Sequence, residues 1–257
     1  MERMRTVYRE QMDNLAHSLI VMCDRVGSMH KLANKALFEA DLVSAETVLS
    51  QIDSLEDLRQ DAEQRAFELL AREAPVAGDL RQIVSGLYIV EDISRMGALS
   101  VHIANVARRR HPNKALPEPV EGFFREMASV SEQMTHETRQ VLIDYDVDQA
   151  LALDKTDDSI DDIHQHLFTL TNDDNWPHSP AQTVDVTLLS RFYERYADHA
   201  VEVAARIIYL ATGYKRDVYL DKLEDERDQR SFNQRLQALE RHPVSYTHLR
   251  AHETPEH

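Results

Sequence analysis

One cysteine, six glycines and eight prolines in 257 residues exclude several architectures at once. The lone Cys23 cannot close an intramolecular disulfide, and its apolar, helical surroundings suggest a packed thiol. Turn-rich β folds use more glycine and proline than this, so the expected class is all-α. The chain has no run of 18 apolar residues and no secretory apolar core near its start. The expected location is therefore the cytoplasm, with any membrane link made through a partner. No Walker A sequence, Gly-x-Gly-x-x-Gly or Gly-x-Ser-x-Gly occurs, so phosphate-cradling and serine-hydrolase readings lack support.

Positive charge is also scarce. Lys and Arg number 29 against 45 Asp and Glu, for a net charge of −16. That disfavours nucleic acid and anionic lipid as partners. It suits a soluble regulator, or a binder of cations or basic protein surfaces, and ordinary solubility accounts for it as well.

What is abundant is helical periodicity and repetition. Hydrophobic residues make up 42% and charged residues 29%, as in long amphipathic helices with one wet face. Asp53-Ser54-Leu55-Glu56-Asp57-Leu58 recurs as Asp158-Ser159-Ile160-Asp161-Asp162-Ile163, 105 positions on. The same offset pairs Leu37, Asp41 and Ala45 with Leu142, Asp146 and Ala150. Arg95-Met96-Gly97-Ala98 meets Arg195-Tyr196-Ala197-Asp198 at an offset of 100, so the second copy has a shorter connection. A duplicated unit of ~100 residues is implied.

Apolar residues at i, i+3, i+4 and i+7 predict helices over 5–40, 43–73, 77–110, 120–145, 147–171 and 182–212, with Ala40-Asp41 and Asp144-Tyr145-Asp146 as matching turns. Pro112, Pro117 and Pro119 separate the copies. The expected domains are a first three-helix repeat over 1–112, a second over 118–213, and a charged extension over 214–257. Within that extension, 221–241 suits a peripheral helix, and Ser245–His257 looks like non-native sequence.

Carboxylates recur four residues apart. Asp158 and Asp162 share one helix face in the second copy, and Glu194 and Asp198 share a face of the next helix. Like charges at this spacing repel by ~0.2–0.5 kcal/mol per pair, so two pairs on facing helices invite a cation. Oxygen-rich sites suit Mg²⁺, Ca²⁺ or Mn²⁺, and Zn²⁺ or an iron cluster also remain candidates. Acid pairs are equally common on solvated faces, and Arg195 and His199 flank the second pair and could offset its charge in place of a metal. The first copy keeps Asp53 and Asp57 but has Ser94 and Ala98 where the other pair would stand. No histidine follows a glutamate at the spacing of di-iron bundles.

At Glu194-Arg195-Tyr196-Ala197-Asp198-His199-Ala200 and Pro75-Val76-Ala77-Gly78-Asp79-Leu80-Arg81 the chain resembles the PhoU family of bacterial phosphate-transport regulators. The resemblance runs over roughly 5–213 and implies two pseudo-symmetric three-helix bundles. It also implies metal at Asp53/Asp57, Asp158/Asp162 and Glu194/Asp198, with no catalytic residues. It implies negative control of phosphate uptake through a phosphate ABC transporter ATPase and a sensor histidine kinase, and homodimers are common in the family. The competing expectation is a carboxylate-bridged metal-binding helical protein with hydrolytic or redox activity.

Overall fold

The structure is a computed structural model that describes residues 2–73, 75 and 77–240. Seven helices and no strand occur among the described residues. They are α1 (Glu2–Glu39), α2 (Leu42–Glu73), α3 (Ala77–Arg110), α4 (Glu118–Asp144), α5 (Val147–Thr171), α6 (Pro180–Thr212) and α7 (Arg216–Glu240). Residues 1–215 form one compact unit, and a second unit begins at Arg216. The Ser245–His257 stretch, read as non-native, lies outside the described residues.

The duplication shows first in the turns. Ala40 and Tyr145, 105 apart, both take left-handed backbone, at φ 53° and 54°. Such a conformation ends a helix at some cost for a residue with a Cβ. The next residue caps the following helix in both copies. Asp41 Oδ1 accepts from Val43 N at 3.0 Å and Ser44 N at 3.3 Å. Asp146 Oδ1 accepts from Asp148 N at 2.9 Å and Gln149 N at 3.0 Å. A short acid at this position satisfies amide groups that have no partner inside the helix.

Two helices start earlier than their apolar period predicts. Pro119 sits in the first turn of α4, and Pro180 opens α6 behind a Ser179–Gln182 capping box. Proline suits these positions because its missing N–H would find no partner there. The α6 terminus is Gly213, at φ 78°. The positive φ favours glycine there, and a Cβ, 2.8 Å from the guanidinium of the flexible Arg81 side chain, would only push that group aside.

α1, α2 and α3 pack pairwise, and so do α4, α5 and α6. The copies join where α1 meets α4 and α3 meets α6. His30 stands at that junction, fully buried. Its ring nitrogens contact Ser100 Oγ on α3 at 3.3 Å and Ser131 Oγ on α4 at 2.8 Å. The ring stacks on Tyr196 of α6 at 4.0 Å. Burial pushes its pKa down to about 3, so the ring is neutral near pH 7, with one N–H to donate and one nitrogen to accept. α3 and α6 run antiparallel, joined by Asp92–His199 at 3.0 Å midway along both helices and by Arg110–Asp185 at 2.5 Å where α3 ends and α6 begins.

In its own unit, α7 exposes Val218, Leu220, Phe232 and Leu236.

Candidate functional site

The buried residues of α5 are Ala150, Leu153, Ile160 and Leu167. Extending their three-and-four spacing places Asp157 and His164 on the same seam, facing α6. Asp157 is half-buried there, and Asp161 follows one turn on. α6 supplies Glu194, only 8% exposed, and Asp198 one turn further.

These carboxylates act on one another. Burial, reinforced by the charges of Asp161, Asp198, Asp154 and Glu194, pushes the Asp157 pKa up to about 7. Burial and then Asp198 raise Glu194, against the pull of Arg191. Asp161 is raised by burial and then by Asp198. Asp157 Oδ1 and Glu194 Oε2 are buried without a hydrogen-bond partner. Burying such an oxygen with no donor costs ~1–3 kcal/mol, and more if it is charged. The other Glu194 oxygen accepts from the Arg191 guanidinium. His164 sits at the edge of the group, 3.0 Å from Ser190 Oγ, and burial followed by the Arg191 charge lowers its pKa.

Of the residues expected to form the site, Glu194 and Asp198 enter this cluster. Asp158 and Asp162 are exposed on α5, as are Asp161 and, on α6, Asp198, so that only Asp157 and Glu194 carry the burial. Asp158 and Asp162 each lie one residue past a clustered acid, which turns them ~100° around the helix. The a/d spacing of the α5 seam finds Asp157, while Asp161, exposed and off that seam, joins through the Asp198 charge and also feels Asp158 and Asp162. Asp53 and Asp57 are exposed on α2. Arg195 is exposed, and His199 pairs with Asp92 across α3. The charge of the acid group is met by Arg191, a residue with no part in the motif.

At the 105 and 100 offsets, Asp157, Asp161, Glu194 and Asp198 correspond to Ile52, Glu56, Ser94 and Ala98. Glu56 accepts from Arg59 at 2.8 and 2.5 Å and from Gln60 at 2.8 Å. The Arg59 guanidinium holds the Glu56 pKa down at about 2. Ser94 Oγ donates to the Val90 carbonyl at 2.8 Å, within its own helix.

The second-copy donors are hard oxygens, and two of them are orphaned, which is the chemistry a hard cation meets. Among the described residues, no group of three or more His, Cys, Asp or Glu side chains is placed so that it could hold a metal ion. The cation in contact with the cluster is Arg191.

Comparison with known proteins bears on both copies. The PhoU domain description matches residues 19–107 and again 124–207. The chain is 51% identical over 210 residues to the phosphate-specific transport system accessory protein PhoU homolog 2 of Mycobacterium tuberculosis, covering 82% of this chain and 99% of that protein. It is 47% identical over 210 residues to PhoU homolog 1 of Mycobacterium leprae, covering 82% and 95%. The crystal structure of PhoU from Pseudomonas aeruginosa aligns with a TM-score of 0.73 at 25% identity, over 80% of this chain and 100% of that one.

Proposed function

This chain belongs to the PhoU family, and from that premise we propose that it is a negative regulator of phosphate uptake and phosphate-starvation signalling. In this reading it is a cytoplasmic adaptor between the ATPase of a phosphate ABC transporter and a sensor histidine kinase. One observation carries the proposal. Both three-helix copies match the family, and a relative named as a phosphate-transport accessory protein aligns over 99% of its length. The remaining features agree with action by binding. No helix among the described residues is long and apolar enough to cross a membrane. No nucleotide-binding motif is present in the sequence.

In the same proposal the carboxylate cluster takes up a cation on rearrangement of its side chains, since no three of them are placed to hold one as they stand. A bound divalent ion would supply positive charge to Asp157, Asp161, Glu194 and Asp198 and so bind α5 to α6. Four carboxylates with one imidazole at the edge favour Mg²⁺ or Mn²⁺ over Zn²⁺, which prefers sulfur and nitrogen. Its role is structural and regulatory, with no catalytic step.

Deleting the gene in its own host, in a strain with no second related gene, tests the regulatory reading. With phosphate in excess, transporter transcripts are expected to stay high. Normal repression in that strain contradicts the proposal.

A further inference from the structure

We propose that Arg191 is a built-in competitor for the cation site: its guanidinium holds Glu194 in the ion-free protein, and a divalent cation binds by displacing it. This rests on reading the second-copy carboxylates as a cation site.

Three observations converge on Arg191. First, it contacts one oxygen of Glu194 only, leaving Oε2 buried and unpartnered on a residue that is itself 8% exposed. The buried carboxylate is thus half-satisfied. Second, the Arg191 side chain is 51% exposed and lies three residues before Glu194 on the same helix. It can move into water without opening the core, because a guanidinium at the rim is already largely hydrated. Third, one monovalent group faces an acid cluster whose other buried oxygen, Asp157 Oδ1, it leaves without a partner. A divalent ion meets more of that charge than a guanidinium does.

The first copy shows what a permanent clamp looks like. Arg59 is 27% exposed and bonds both Glu56 and Glu63. No carboxylate oxygen of α2 or α3 is left buried and unpartnered among the described residues. The residue equivalent to Arg191 is Glu91, which pairs with Arg95. Arg59, which corresponds to His164 and not to Arg191, holds two carboxylates with several bonds, whereas Arg191 contacts a single oxygen of Glu194.

The test titrates Mn²⁺ into the full chain and follows loss of the free-ion EPR signal for wild type, R191Q and E194Q. Binding to R191Q is expected to be about tenfold tighter than to wild type, or ~1.4 kcal/mol, and binding to E194Q weaker by at least that factor. Melting temperatures give a second readout. Without Mn²⁺, R191Q should melt below wild type, and in saturating Mn²⁺ the difference should vanish or reverse. Equal or weaker Mn²⁺ binding by R191Q, with E194Q still impaired, overturns the competition and leaves the cation site standing. No Mn²⁺ binding by wild type or R191Q overturns the cation reading and this inference with it.

Discussion

The helix pairs α2/α3 and α5/α6 are copies of one another, yet they handle charge in opposite ways. In α2/α3, Glu56 is exposed to water and to Arg59, and its pKa is held down at about 2. In α5/α6, the matching Asp161 joins Asp157, Glu194 and Asp198, and burial with mutual repulsion pushes Asp157 up to about 7. Packing differs as well. Gly97 lets Leu55 of α2 come so near that an added Cβ would lie 2.2 Å from Leu55 Cδ2. Its counterpart in the second copy is the buried Ala197. Duplication conserved the helices and their caps, while the inner surfaces diverged into a neutralised pair and an acidic pair. A fold held together by apolar seams tolerates either arrangement, because stability comes mainly from the buried faces.

The comparison can be broken most forcefully at the acids themselves. Replacing Asp157 with Asn and Glu194 with Gln together should weaken Mn²⁺ binding on the order of a hundredfold, ~2.7 kcal/mol. Glu56→Gln should leave binding within about twofold, well under 1 kcal/mol. Equal losses from the two changes would erase the distinction between copies. Packing comes next. Gly97→Ala gains ~1 kcal/mol of helix propensity but overpacks Leu55 by ~1–3 kcal/mol, so a net loss of about 1 kcal/mol is expected from the denaturant midpoint. A stabilised Gly97→Ala protein would mean that α2 and α3 are not so closely set.

The pH dependence should carry opposite signs in the two copies. Asp157 has a folded pKa of about 7 against 3.8 for the free group. The folded state therefore holds its proton more tightly, and its contribution is full below 3.8, fades as pH rises and is gone above about 7. Glu56 runs the other way. Its contribution is present above 4.5 and is lost as pH falls toward about 2. His30, held near 3 against 6.5, also disfavours low pH. The informative quantity is therefore the difference between wild type and each variant. In metal-free buffer, Asp157→Asn should flatten the decline between pH 4 and 7, and a decline that persists unchanged would remove Asp157 as its source. The smallest effect is Glu56→Gln near neutral pH, where an exposed helical pair is worth ~0.2–0.5 kcal/mol and is screened by salt.

Much of this was legible in the sequence. The six bundle helices follow from apolar spacing, and the paired turns from the recurrence of Asp41 as Asp146 ahead of a new helix. The acid face of α5 was harder to place. Asp157-Asp158 and Asp161-Asp162 supply two pairs at i and i+4, one residue apart, and aligning the copies selects the outer pair. Only the seam through Leu153, Ile160 and Leu167 shows that Asp157, the first acid of the inner pair, faces α6. Arg191 was missed for a related reason. Arg195 and His199 sit next to Glu194 and Asp198 in sequence, but adjacent positions point ~100° apart on a helix. The arginine that meets Glu194 is three residues back, almost one turn. The Asp92 partner of His199 belongs to the other copy, and no local pattern indicates it.

The most direct test of the central claim, that the second copy alone carries the cation site, is paramagnetic broadening of backbone amide resonances by substoichiometric Mn²⁺. Selective loss of signals around Asp157, Asp161, Glu194 and Asp198, with those around Ile52, Glu56, Ser94 and Ala98 retained, is the predicted result. Equal broadening of the two sets, or broadening centred on α2 and α3, would contradict it.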